Sequence, residues 1–86
     1  MRIILIMSNN TAALGPIFHN QVIPQFVKAR KDKGISQLEM DEILGVAKGL
    51  VSKWECGIRK PSGWLFCCWA DALDMQITLT PKVLKQ

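Results

Sequence analysis

The side chains with the most to offer chemically are cations, and they come in two groups: Lys28, Arg30, Lys31 and Lys33, then Lys48, Lys53, Arg59 and Lys60. Glu39, Asp41, Glu42, Asp71 and Asp74 lie on other segments, so the formal charge of +4 understates how unevenly charge is spread. Ammonium and guanidinium groups clustered in this way suit a phosphate-bearing partner. A solvated surface accounts for either cluster alone. Both clusters flanking one recognisable motif would instead be the electrostatic footprint of a duplex-binding face.

Other chemistry is poorly provided for. Cys56, Cys67 and Cys68 are an odd number with no metal-ligand spacing, and the adjacent pair cannot close an ordinary unstrained bridge. They read as reduced thiols of a cytoplasmic protein; the alternative is a redox sensor, set aside if oxidant leaves partner affinity unchanged. His19 has no second histidine and no cysteine and carboxylate set near it, so it reads as a surface or loop side chain and no metal is assigned. Paired carboxylates, a supported cysteine and histidine arrangement and a phosphate-cradling glycine loop are all missing, so there is no catalytic residue, no cofactor and no enzyme expected.

The elements that must position the cations are legible between Ser36 and Gly57. Ser36 with Glu39 three residues on makes a capping box, and Met40, Ile43 and Leu44 then recur at helical spacing up to Gly45, a residue type that ends helices. After Val46 a second helix is predicted from about Lys48 to Glu55, carrying Leu50, Val51 and Trp54 on one stripe, with Gly57 closing it. Two short helices with one-sided apolar faces and a glycine at the corner form a helix-turn-helix. Both basic clusters flank it, which favours duplex binding over a bland surface.

Gln37, Gly45, Val46, Val51, Trp54 and Glu55 stand at the spacing typical of lambda-repressor-like (Cro/Xre-type) DNA-binding domains, and the chain resembles that family in order over residues 22 to 80. Lys28-Ala29-Arg30 and Gly34-Ile35-Ser36-Gln37 look like its basic first helix and the turn into the second. Gly57 to Ser62 looks like its loop into the fourth helix, and Trp69 to Leu73 like that helix's end. The resemblance implies that Ala47, Lys48, Gly49, Ser52 and Lys53 face the bases, that Gln37 binds phosphate and braces the reading helix, and that Arg30 pairs with Glu55. Arg59 and Lys60 are further phosphate candidates.

The chain departs from the family at two places. Asp41 stands where alanine is usual, at the contact between the two motif helices. It either turns outward and splays them or finds a partner such as Lys48 or a backbone N–H at the start of the next helix. Ala47 stands where a capping Ser or Thr is common, and loss of a cap is worth about 1 kcal/mol.

The flanks complete the outline. Met1 to Met7 is apolar and largely β-branched, too short for a membrane span and without the pattern of a signal peptide. It reads as an edge strand, a core-covering arm or an extension ahead of an internal start, followed by a loop from Ser8 to Gly15. A helix is predicted from near Pro24 to Lys33, with Ile23, Phe26, Val27 and Arg30 on one side. Another runs from Ser62 to about Leu73 with a core stripe of Phe66, Trp69, Ala70 and Leu73, leaving Trp64, Leu65 and Cys68 outside. Gln76 to Thr80 alternates like a short strand, and MRIILIM is its natural partner within the chain or across a dimer.

The expected fold is therefore mainly α, a lambda-repressor-like four- or five-helix bundle with a helix-turn-helix and short terminal β-strands. Residues 1-21 form an N-terminal arm, 22-80 the DNA-binding domain and 81-86 a tail. With 86 residues the chain buries about 60 to 65% of its unfolded surface, enough for one core. The expected function is that of a cytoplasmic, sequence-specific regulator of phage or prokaryotic type, a repressor binding double-stranded DNA as a homodimer on a palindromic operator. Ile3, Ile4, Leu5, Trp64, Leu65, Ile77 and Leu79 are the candidate subunit contacts. The alternative is an antitoxin-like inhibitor or interaction module that keeps the fold, binds a protein partner and reads bases little; Asp41, Ala47 and Gly49 keep it open.

Overall fold

The computed structural model describes residues 2–5 and 14–81. The chain is mainly helical: β1 (Arg2–Leu5), α1 (Leu14–Ile17), a π-helical turn (Phe18–Val22), α2 (Ile23–Asp32), α3 (Gln37–Leu44), α4 (Leu50–Glu55), α5 (Gly63–Ala72) and β2 (Gln76–Leu79). Helical backbone thus begins at Leu14, ten residues before Pro24, and Leu14 and Gly15 are helical where a loop was expected.

The reason lies in the π-helical turn. Inside a regular helix a proline clashes with the carbonyl four residues back and removes one hydrogen bond. Here the backbone is widened just before Pro24, and the Ile23 N–H donates to the Phe18 carbonyl, five residues back. The side-chain amide of Gln25 donates to the Gln21 carbonyl at 2.9 Å. Proline, which elsewhere starts a helix, is accommodated inside this one.

The ends of α3 follow local chemistry. The Ser36 hydroxyl accepts from the Glu39 N–H at 3.0 Å, and the Glu39 carboxylate accepts from the Ser36 N–H at 2.9 Å. Hydrogen bonding to the carboxylate from the Ser36 N–H, and secondarily from the Ser36 side chain, holds the Glu39 carboxyl below its ordinary value of 4.5. A depressed folded-state pKa means that this contribution is complete above about pH 4.5 and is lost as pH falls below it. At the other end Gly45, at φ +67°, turns the chain left-handed, and Val46 N–H bonds back to the Asp41 carbonyl at 3.0 Å. In α5, Ser62 caps the Leu65 N–H at 3.2 Å.

Phe26, Met40, Val51, Trp54 and Trp69 are the largest fully buried side chains, one or more from each of α2 to α5. Their rings form a chain: Phe26 to Trp69 at 4.3 Å between centroids, Trp54 to Trp69 at 5.2 Å and Phe26 to Phe66 at 4.9 Å. Phe18, from the π-helical turn, extends it to Phe66 at 5.6 Å. Three apolar assignments are corrected here. Ile43 is 55% exposed, because α3 buries Met40 and Leu44 and turns the intervening position outward. Leu65 packs against the core, and Cys68 is half-buried beside it on α5.

β1 pairs with β2 in parallel within the chain, Arg2 opposite Gln76 through Leu5 opposite Leu79. The remainder of Met1 to Met7, most of the loop from Ser8 and the tail from Lys82 lie outside the described residues.

Candidate nucleic-acid interface

The start of α4 is set by an acidic residue of its neighbour. Asp41 is buried at 2% exposure on α3, and its carboxylate accepts from the Gly49 N–H and the Val51 N–H, both at 2.8 Å. Two charge-assisted bonds at the positive end of a helix meet the need of a buried carboxylate. Of the two alternatives for Asp41, the structure has the backbone N–H partner at the start of α4. Those bonds also supply the cap that Ala47 cannot.

α4 begins at Leu50, two residues later than the spacing predicts. Gly49 sits at φ +90°, a left-handed conformation that breaks the helix before it, so Ala47 and Lys48 belong to the turn. Ala47, Lys48 and Lys53 are exposed; Gly49 and Ser52 are half-buried. Among the described residues Lys31, Lys48, Lys53, Arg59 and Lys60 have no ion-pair partner, whereas Lys28 pairs with Asp32 at 2.7 Å and Lys33 with Asp74 at 2.5 Å. Four cations without intramolecular partners thus lie along the turn, α4 and the loop after it. The Lys33 ammonium beside Asp74 holds that carboxyl below its ordinary 3.8.

The far end of α4 is anchored from behind. Arg30 donates through Nε to Glu55 Oε2 at 2.7 Å and through Nη2 to Glu55 Oε1 at 3.0 Å, with the two side chains 9% and 7% exposed. Its Nη1 donates to the Ile35 carbonyl at 2.8 Å. Gln37 Nε2 donates to Glu55 Oε1 at 2.9 Å. One carboxylate therefore ties α4 to α2 and to the first residue of α3. Gln37 reaches α4 directly.

Residues 27–63 match the sequence model of the Helix-turn-helix family, a span that opens in α2 and closes at the first residue of α5. The chain carries a lambda-repressor-like helix-turn-helix domain. Such a domain is a DNA-binding one, with α3 and α4 as its two motif helices. Comparison with curated proteins and with solved structures gave no match.

From sequence, a backbone N–H at the start of the next helix is one partner named for Asp41, without a tie to the cap missing at Ala47, and a contact of His19 is missed. The capping role of Asp41 could have been inferred by setting its departure against that of Ala47, since one residue lacks a partner and the other leaves one wanting. His19 is exposed on the π-helical turn, and a Cβ on Gly57 would lie 3.0 Å from its ring. His19 thus rests on the loop that leads from α4 to Arg59 and Lys60, a contact that no periodicity announces. No helix among the described residues is long and apolar enough to cross a membrane.

Proposed function

We propose that the chain is a sequence-specific regulator of transcription, a repressor that binds a palindromic operator as a homodimer. The observation that carries the reading is the row of cations without ion-pair partners among the described residues, Lys48, Lys53, Arg59 and Lys60, along the turn, α4 and its following loop. Lys48 and Lys53 donate to guanine O6 and N7, Ser52 serves either bases or phosphate, and Ala47 and Gly49 let the backbone approach closely. Arg59 and Lys60 hold phosphate. Gln37 reaches phosphate only with what its amide has left after bonding Glu55.

A homodimer fits the mechanism, since a six-residue helix reads few base pairs. A two-fold pair reading half-sites about 34 Å apart multiplies discrimination. Residues 22-80 are the DNA-binding unit in this reading, and 1-21 and 81-86 its extensions. Repression follows from an operator overlapping the site where polymerase binds.

The test is selection of bound duplexes from a randomised pool, followed by salt titration of the winner against a scrambled duplex. A palindromic winner, preferred at least about a thousandfold and degraded by Lys48→Ala with Lys53→Ala, supports the reading. Equal, salt-sensitive binding to every duplex would reduce the basic face to a phosphate holder and redirect attention to a protein partner.

A further inference from the structure

Asp41 holds the turn of the motif from both sides. Its backbone carbonyl accepts from Val46 N–H at 3.0 Å as α3 ends, and its carboxylate accepts from Gly49 and Val51 N–H at 2.8 Å as α4 begins. Gly49 completes the device. Open space surrounds the position of its missing Cβ, so glycine is required there by the φ of +90° alone. That conformation aims the Gly49 N–H at Asp41 and shifts the first helical residue to Leu50. Asp41, Ala47 and Gly49 form one arrangement: a cap borrowed from the preceding helix, no cap in the ordinary place, and a left-handed residue joining the two.

We propose that Asp41 is a positioning residue for base reading, fixing through Gly49 and Val51 where α4 starts and hence which side chains are carried on the helix toward the duplex. The proposal rests on the DNA-reading function above. Without the carboxylate, two N–H groups lose their acceptor and the start of α4 frays. Apparent affinity for the operator then falls with the fraction of molecules holding the reading conformation. Phosphate contacts from Arg59 and Lys60, outside the capped turn, are unaffected.

The experiment compares specific and scrambled duplex binding, well below the melting temperature, for wild type, Asp41→Ala and Asp41→Asn, with folding checked by tryptophan fluorescence. For Asp41→Ala, loss of two charge-assisted bonds corresponds to operator affinity lower by roughly tenfold or more, with scrambled binding changed less than about twofold. Asp41→Asn keeps one acceptor oxygen and falls between. The decisive arm concerns Gly49. Gly49→Ala weakens operator binding in the wild type, where φ is positive. In the Asp41→Ala, Ala47→Ser background, with a local cap and no carboxylate to hold the left-handed turn, the same substitution strengthens it.

An effect of Gly49→Ala with the same sign in both backgrounds overturns the proposal, as does Asp41→Ala lowering operator and scrambled binding in equal proportion. A wild type that selects no consensus overturns the DNA-reading function itself. Operator affinity that Asp41→Ala leaves intact overturns only the positioning role.

Discussion

Arg30 is the residue on which the motif's attachment to the rest of the bundle turns. Its guanidinium makes three hydrogen bonds, two to Glu55 and one to the Ile35 carbonyl, from an almost fully enclosed position. Truncating it leaves a buried carboxylate and a carbonyl without their donor, which is the costly way to break a buried pair. Arg30→Ala is expected to destabilise the fold by about 3 to 5 kcal/mol in denaturant unfolding followed by tryptophan fluorescence. Arg30→Ala with Glu55→Ala should cost less than the sum of the singles, because the stranded charge is then gone. Strictly additive effects would show that the pair is not coupled. Lysine at position 30 is no substitute, since it cannot reproduce the two-pronged contact. Asp41 is the opposite case: a buried acid satisfied wholly by backbone, with no cation involved.

Among the elements, those defined by neighbours in sequence were legible and those defined by neighbours in space were not. Ser36 with Glu39, and Gly45, are three or four residues from the groups they satisfy, so α3 can be bounded from its residue types. The start of α4 depends on a carboxylate eight and ten residues back, and the spacing accordingly puts it at Lys48. Helical backbone before Pro24 depends on a widened turn whose residues, Phe18 to Val22, carry no distinctive pattern. The phenylalanine of that turn enters the aromatic chain and its histidine rests on Gly57, so the added helix is fastened to both core and loop. Glycines 45 and 57 let this fastening be measured. Both have positive φ, but a Cβ at Gly45 meets open space, whereas one at Gly57 meets the His19 ring. Gly45→Ala should therefore cost only the left-handed conformation, roughly 1 to 2 kcal/mol. Gly57→Ala should cost that and the displaced ring as well. His19→Ala added to Gly57→Ala should cost nothing further, because both remove the same contact. Equal costs for the two glycine substitutions would mean that His19 does not brace the loop.

At the scale of the whole molecule, two of the large apolar side chains exposed among the described residues fall on adjoining elements, while Leu38, Ile43 and Ile58 lie apart from them on α3 and the loop after α4. Trp64 on α5 and Leu79 on β2 are 76% and 70% exposed, and the two elements pack against each other. Leu65 and Ile77, their expected companions, pack against the core, and Ile3, Ile4 and Leu5 lie in β1. β1 and β2 make a sheet of two strands, and so small a sheet is marginal until something covers or extends it. A second copy does both if it meets α5 and β2, leaving the cations of α4 and its loop free for DNA. The consequence is a coupling between assembly and operator affinity. Trp64→Glu with Leu79→Lys should leave the melting curve nearly unchanged, since both side chains already face solvent, yet lower the sedimentation-derived mass to that of one chain. On a palindromic duplex the variant should bind as independent halves, losing steepness and affinity together, while its affinity for an isolated half-site matches wild type. Loss of half-site affinity in step with the palindrome would place these residues in the DNA contact instead. A wild type that sediments as a single chain at every concentration and binds the palindrome without steepness would remove the dimer from the account, and reading would then rest on one six-residue helix and the loop behind it.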